Sequence, residues 1–325
     1  PSGVSLSPEG AQHGWKSDFQ IPNQIVWEPT FCLELDWILA DSIRRHFYQD
    51  NEGRSGVLIR GTTRGIDQKL LLKSLSKQVR FKSQKDLLLA PTNMPLAGAA
   101  LENEVAAIPE SEIYAQVRED ILNGAYYLVD YRGYANYEPG DNVVNIFAMG
   151  PLTPEALKAS EELLTKGIYA NIIVVTSPDL LVGNLAELNG HQHLKKNLGI
   201  DGEIHLAPIV NGAAIEYTEI LSLQGRRIPI VSVHDGEPGL LDNIGSIVGT
   251  KQKSLAVRKH SKCGRPADVY EYHHLDSQAI VAAAHEALAD VAMETFRITR
   301  AALSTYGESH QSSRKLSIAA ETSEG

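Results

Sequence analysis

Apolar positions recur along this chain with two periods, and the change from one to the other organises it. After a polar, glycine-bearing opening over residues 1–23, Phe31, Leu35, Ile38, Leu39, Ile43 and Phe47 return at three- and four-residue steps. That spacing predicts a helix with one apolar face, opened by Glu28-Pro29-Thr30. Val57-Leu58-Ile59, framed by Gly56 and Gly61, reads as a short buried strand. Residues 68–84 carry Leu70, Leu71, Leu72, Leu75 and Val79 on a helical spacing with a basic outer side, and 97–107 is rich in small residues. A further helix is predicted over 111–123, with Gly124 placed to take the left-handed cap.

Beyond Gly124 strands and helices alternate. Residues 125–131, 143–148, 172–175, 228–233 and 254–258 are apolar runs of strand length. Helices are predicted from Thr153 to about Lys166, from Ser177-Pro178-Asp179, and over 240–248, 267–273 and 277–303; the last has Ile280, Ala284, Leu288, Val291 and Thr295 along one stripe. Strands apolar on both faces, alternating with helices, predict an α/β fold with parallel sheets covered on both sides. Residues 132–141, rich in glycine, asparagine and tyrosine, mark the expected domain boundary, and the polar tail 304–325 is expected to be disordered. There is no internal repeat.

Composition narrows the classes. The 325 residues hold 30 basic and 40 acidic side chains, a net charge of −10, which argues against nucleic acid and anionic membrane as partners. No apolar stretch approaches the roughly 20 residues of a membrane span. Only two cysteines occur, Cys32 and Cys263, far apart, so the expected compartment is reducing and cytoplasmic. The chain opens at Pro1 with no initiator methionine or signal segment and is expected to begin within a longer protein.

Candidate chemistry is densest near the start, where Ser5-Leu6-Ser7-Pro8-Glu9-Gly10-Ala11-Gln12-His13 sets a carboxylate and an imidazole four apart in a loop. Such a pair can converge on one ligand, the histidine as proton donor and the glutamate as its partner; alone it also describes a solvated loop. Arg60 and Arg64 follow the first strand, either to meet a carboxylate or phosphate or to pair with Asp67 or Glu28. His234-Asp235-Gly236 reads as a turn after a buried strand. A zinc site at His191, His193, His260, Cys263, His273 and His274 is rejected for want of a CxxC pair or an HExxH helix. No glycine cluster forms a GxGxxG or GxxxxGK phosphate loop.

Taken together these residues resemble one family, the homodimeric thiamin-diphosphate-dependent first component of the pyruvate dehydrogenase type, within the transketolase-like superfamily. Gly3–His13 is similar to the family's T-L-N-G-E-G-L-Q-H segment, and the similarity runs on through Ile21-Pro22-Asn23, Glu28-Pro29, Glu34 and Thr62-Thr63. Val231–Asp235, Gly264–Asp268 and Leu275–Ala284 are similar to its closing domain. The resemblance implies two parallel-sheet domains: the second half of a pyrimidine-binding domain with its connector over 1–131, then a transketolase carboxy-terminal-like domain over 141–303. It implies that the whole protein decarboxylates a 2-oxo acid and acylates a lipoyl group on an acyltransferase component, with thiamin diphosphate and Mg2+ as cofactors. His13 falls on the histidine that contacts substrate, Glu9 on the acidic residue near it, and Gln12 and Lys16 flank them. The family's Gly-Asp-Gly…Asn magnesium motif and its activating glutamate are not found here, so the chain alone is expected to be inactive. A transketolase-like carboligase and a non-catalytic dimerisation or partner-binding module are the alternatives.

Overall fold

The computed structural model describes residues 24–48, 56–62, 64–81, 109–183, 187–200, 228–260, 262, 264–294, 296–297 and 300. Two sheets organise them. Strands β1 (Gln24–Trp27) and β2 (Gly56–Ile59) pair in parallel on either side of helix α1 (Cys32–Tyr48). A five-stranded sheet takes β3 (Ala125–Val129), β4 (Val143–Ala148), β5 (Tyr169–Val175), β6 (Ile230–Val233) and β7 (Gln252–Leu255) in the order β3-β5-β4-β6-β7. All its pairings are parallel except β3 with β5. The α/β class with mostly parallel sheets is thus the one the alternating pattern predicts.

The helices are α2 (Lys69–Leu75), α3 (Glu110–Leu122), α4 (Thr153–Thr165), the single turn α5 (Pro178–Leu181), α6 (Glu187–Gln192), α7 (Ile244–Val248), α8 (Pro266–His273) and α9 over residues 277–294. Every residue of β4 and β5 is buried, because each strand packs on both faces. Val144, Ile146, Ala148, Ile172 and Val174 face Ala156, Ala159 and Leu163 of α4 and Ile280, Ala284 and Ala287 of α9. Phe147, Ile173 and Val175 face the other way, onto Leu194, Leu241, Ile244 and Val248. In mid-sheet Asn145 and Asn171 lie in register, and Asn171 Nδ2 donates to Asn145 Oδ1 at 3.0 Å while its Oδ1 accepts Tyr131 N at 2.9 Å. A buried amide pair with its hydrogen bonds made costs little and would lose them in a shifted register.

Several expectations change. Residues 132–141 are a packed corner: Tyr131, Tyr134, Tyr137 and Tyr169 stack edge to face, and Tyr169 OH donates to Ala135 O at 2.6 Å. Strand β3 lies before this corner yet pairs with β5, so the expected boundary falls inside one sheet. Strand β2 is half-buried along its length, where a buried strand was expected, since it is the outer member of a two-stranded sheet. Strand β7 starts at Gln252 and α7 at Ile244, shifted from the expected 254–258 and 240–248. Helix α1 keeps its expected face only in its first half: Phe31 and Ile38 are buried and Leu35 is half-buried, whereas Leu39, Ile43 and Phe47 are exposed. Glu34, Asp41 and Ser42 are buried beside Ile38; Asp41 is tied to Arg44 and Arg45, and Glu34 accepts from Tyr126 OH. The stretch 97–107 and the tail 304–325 lie outside the described residues.

Candidate functional site

In open parallel sheets ligands meet the carboxyl ends of strands where successive connections leave in opposite directions. Here the chain runs from β4 to β5 on one side and then back past β4 to β6, so that point lies between the ends of β4 and β6. Met149-Gly150 leaves β4, and His234-Asp235 leaves β6. The β1–β2 unit is fastened over this edge. Ser177 Oγ donates to Val26 O at 2.8 Å, Val26 N donates to Asp179 Oδ2 at 2.7 Å, and Glu28 N donates to Thr176 O at 2.8 Å. Residues 176–179, just past β5, thus hold β1 as a neighbouring strand would.

The side chains delivered to this edge are charged. Glu28 is fully buried and its carboxylate fills the space beside Gly150, which has φ +45; a Cβ there would overlap the carboxylate. Arg60, buried, follows β2, and its N–H donates to Trp27 O at 2.8 Å. Arg64 Nη2 reaches Glu155 Oε1 at 2.8 Å, Nη1 reaches Pro151 O at 3.1 Å, and the guanidinium lies 5.4 Å from the Tyr270 ring centre. Burial pushes the Tyr270 phenol well above its ordinary value, with the nearby Asp235 charge adding to it. Burial also acts to raise Glu155, but hydrogen bonds from Arg64 and Lys158 outweigh it and hold that carboxyl below its usual range. Arg64 therefore pairs with neither Asp67 nor Glu28 but with a residue 91 positions on. The cluster can lock one unit onto the other, with Glu28, Glu155 and Asp235 gathered among Arg60, Arg64 and Lys158.

The histidines have separate places. His193 is buried; its Nε2–H donates to Ala125 O at 2.7 Å and its Nδ1 accepts from Asn197 Nδ2 at 3.1 Å, which fixes a neutral tautomer, and burial lowers its pKa. His234 accepts Gly236 N at Nδ1, 3.2 Å away, and burial takes its pKa down to about 4. His273 is buried, with its pKa lowered by burial and then by Lys259 and Lys262. His274 caps α8 in the left-handed conformation at φ 57. Among the described residues no three His, Cys, Asp or Glu side chains gather to hold a metal ion.

Glu9, Gln12, His13 and Lys16 lie outside the described residues; the segment they belong to leads into β1. Reading the sequence missed Glu155, Tyr270 and the anchoring role of Asp179. The one local signal was Gly150-Pro151 straight after a buried strand, a glycine where a close approach is needed.

Among the described residues no helix is long and apolar enough to cross a membrane. No protein-family model and no curated protein matches this chain. Its fold is similar to solved transketolases. One from Pichia stipitis aligns at 14% identity over 88% of this chain and 29% of its own, with a TM-score of 0.47. One from Campylobacter jejuni aligns at 13% identity over 86% of this chain and 29% of its own, at 0.45. The inactive β4 tetramer of a split-gene transketolase aligns at 16% identity over 84% and 60%, at 0.42. The chain thus spans 29% of the length of the Pichia and Campylobacter enzymes.

Proposed function

We propose that this chain is the carboxy-terminal part of a thiamin-diphosphate-dependent 2-oxo acid dehydrogenase of the transketolase-like superfamily, which decarboxylates a 2-oxo acid and acylates a lipoyl group. The observation that carries the reading is the Glu9-Gly10-x-Gln12-His13 motif, which precedes in sequence the first strand of a β–α–β unit that is hydrogen-bonded to a mostly parallel sheet. In this reading residues 24–81 belong to the pyrimidine-binding domain, and β3 and all that follows belong to the carboxy-terminal domain. His13 acts on the substrate, because an imidazole titrating near neutrality can donate to oxygen as negative charge develops there. Glu9 orients that imidazole, and Gln12 supplies an amide to the substrate. The exposed apolar face of α1 supports a homodimer.

The described residues do not fit thiamin diphosphate. A diphosphate brought to the carboxyl edge of the sheet would meet Glu28, Glu155 and Asp235, and the space beside Gly150 is already filled by Glu28. In this reading the cofactor binds outside the described residues. The test uses the polypeptide that carries this chain, assayed for 2-oxo acid decarboxylation and lipoyl-domain acylation, with a sugar phosphate as the competing acceptor. His13→Ala is expected to lower both activities about 10²–10⁴-fold. Unchanged turnover removes His13 from the reaction, and preference for the sugar phosphate turns the reading to a carboligase.

A further inference from the structure

Lys73 and Lys77, from the basic side read over 68–84, take no part in the function proposed above, and in the fold they line a cleft of about 210 Å³. Leu70, Pro154 and Leu157, from α2 and α4, give it an apolar lining. Lys158, Glu161 and the buried Ser74 complete it. Lys158 is engaged by Glu155 at 3.1 Å, whereas Lys73 is exposed and forms no ion pair among the described residues. The lining thus carries more positive than negative charge in a chain whose net charge is −10.

We propose that this cleft binds a small amphipathic organic anion, its apolar body on Leu70, Pro154 and Leu157 and its charged head between Lys73 and Lys77. Its size suits a short chain or a single ring. An apolar lining with a few convergent charges is the usual composition of a small-molecule site. Lys158 connects the rim to Glu155 and through it to Arg64, so an anion that draws Lys158 outward leaves Glu155 to Arg64 alone.

The probe is octanoate, titrated into the full chain and followed by amide chemical shifts, with octylammonium and octanol as comparators. Saturable shifts confined to α2 and α4, with octanoate bound at least tenfold more tightly than octylammonium, are expected. Lys73→Glu combined with Lys77→Glu reverses the charge at the head-group position and is expected to weaken octanoate about tenfold, roughly 1.4 kcal/mol, with Lys73→Glu alone, which breaks no ion pair among the described residues, weakening it in the same direction. Leu157→Asp, which spoils the apolar lining, is expected to abolish binding. Equal affinity for octylammonium, shifts elsewhere on the chain, or undiminished binding by the double lysine variant overturns the proposal.

Discussion

Glu34 shows how one residue can tie the stability of this fold to pH. It is fully buried, accepts Thr30 N at 2.6 Å and Phe31 N at 3.1 Å, and receives the Tyr126 hydroxyl. Burial outweighs these donors and pushes its pKa up to about 7. Asp179, holding Val26 N, is likewise pushed up to about 7 by burial. A carboxyl whose pKa rises on folding binds more protons folded than unfolded between the two values. Its contribution is therefore complete below about pH 4 and is lost as pH climbs to about 7. For Glu34 the difference is on the order of 3 kcal/mol. Urea unfolding between pH 5 and pH 8 is expected to show stability falling with pH, and Glu34→Gln to reduce that slope, Asp179 supplying the rest, while leaving the pH 5 value within about 1 kcal/mol. A slope that Glu34→Gln leaves unchanged assigns the titration elsewhere.

At the scale of elements, what could be read from the sequence depended on whether an element's partners are implicit in its own pattern. Strands β4 and β5 were legible because uninterrupted apolar runs are what a strand buried on both faces requires, and α3 because Ile113, Val117 and Ile121 form its buried stripe. Helix α1 has an equally clear period, but only Phe31 and Ile38 of its predicted face are buried. Two carboxylates, Glu34 and Asp41, share the buried side, and Glu34 is matched by a tyrosine 92 residues away that no local pattern announces. What stays outside is Leu39, Ile43, Phe47 and Tyr48, with Phe47 70% and Tyr48 82% exposed, a contiguous stripe that a second copy of the chain could cover. Sedimentation velocity is expected to show a dimer that Ile43→Asp with Phe47→Glu converts to a folded monomer. A parent chain that sediments as a monomer at tens of micromolar removes α1 as the contact.

The whole molecule depends on a seam between the β1–β2 unit and the larger sheet, and the candidate site was least legible there. Arg64 and Glu155 are 91 residues apart, and Glu28 was read from sequence as a helix-opening residue or as a partner for a strand-end arginine. Nothing near Glu28 in the chain shows that its carboxylate needs a glycine 122 positions later. Gly150→Ala tests the seam: it places a side chain at positive φ and displaces Glu28, and should cost about 2 kcal/mol or more. In a double-mutant cycle with Glu28→Ala the two costs should not add, since each change removes the same fit. Additive costs measured by thermal unfolding would show that the two residues act apart.

Both edges of the five-stranded sheet are engaged by side chains from elsewhere in the chain. On β3 the side chain of Gln78 donates to the carbonyls of Tyr127 at 2.8 Å and Leu128 at 3.2 Å. On β7, Lys253 reaches Asp290 at 2.9 Å and the neighbouring Lys251 reaches Glu294 at 3.5 Å, both on α9. One margin is sealed by an amide and the other is crossed by ion pairs, so neither offers an open ladder to a strand from another chain. A strand from another chain would have to break those bonds before pairing at either margin, whereas the exposed apolar side chains of α1 have no such bonds to give up.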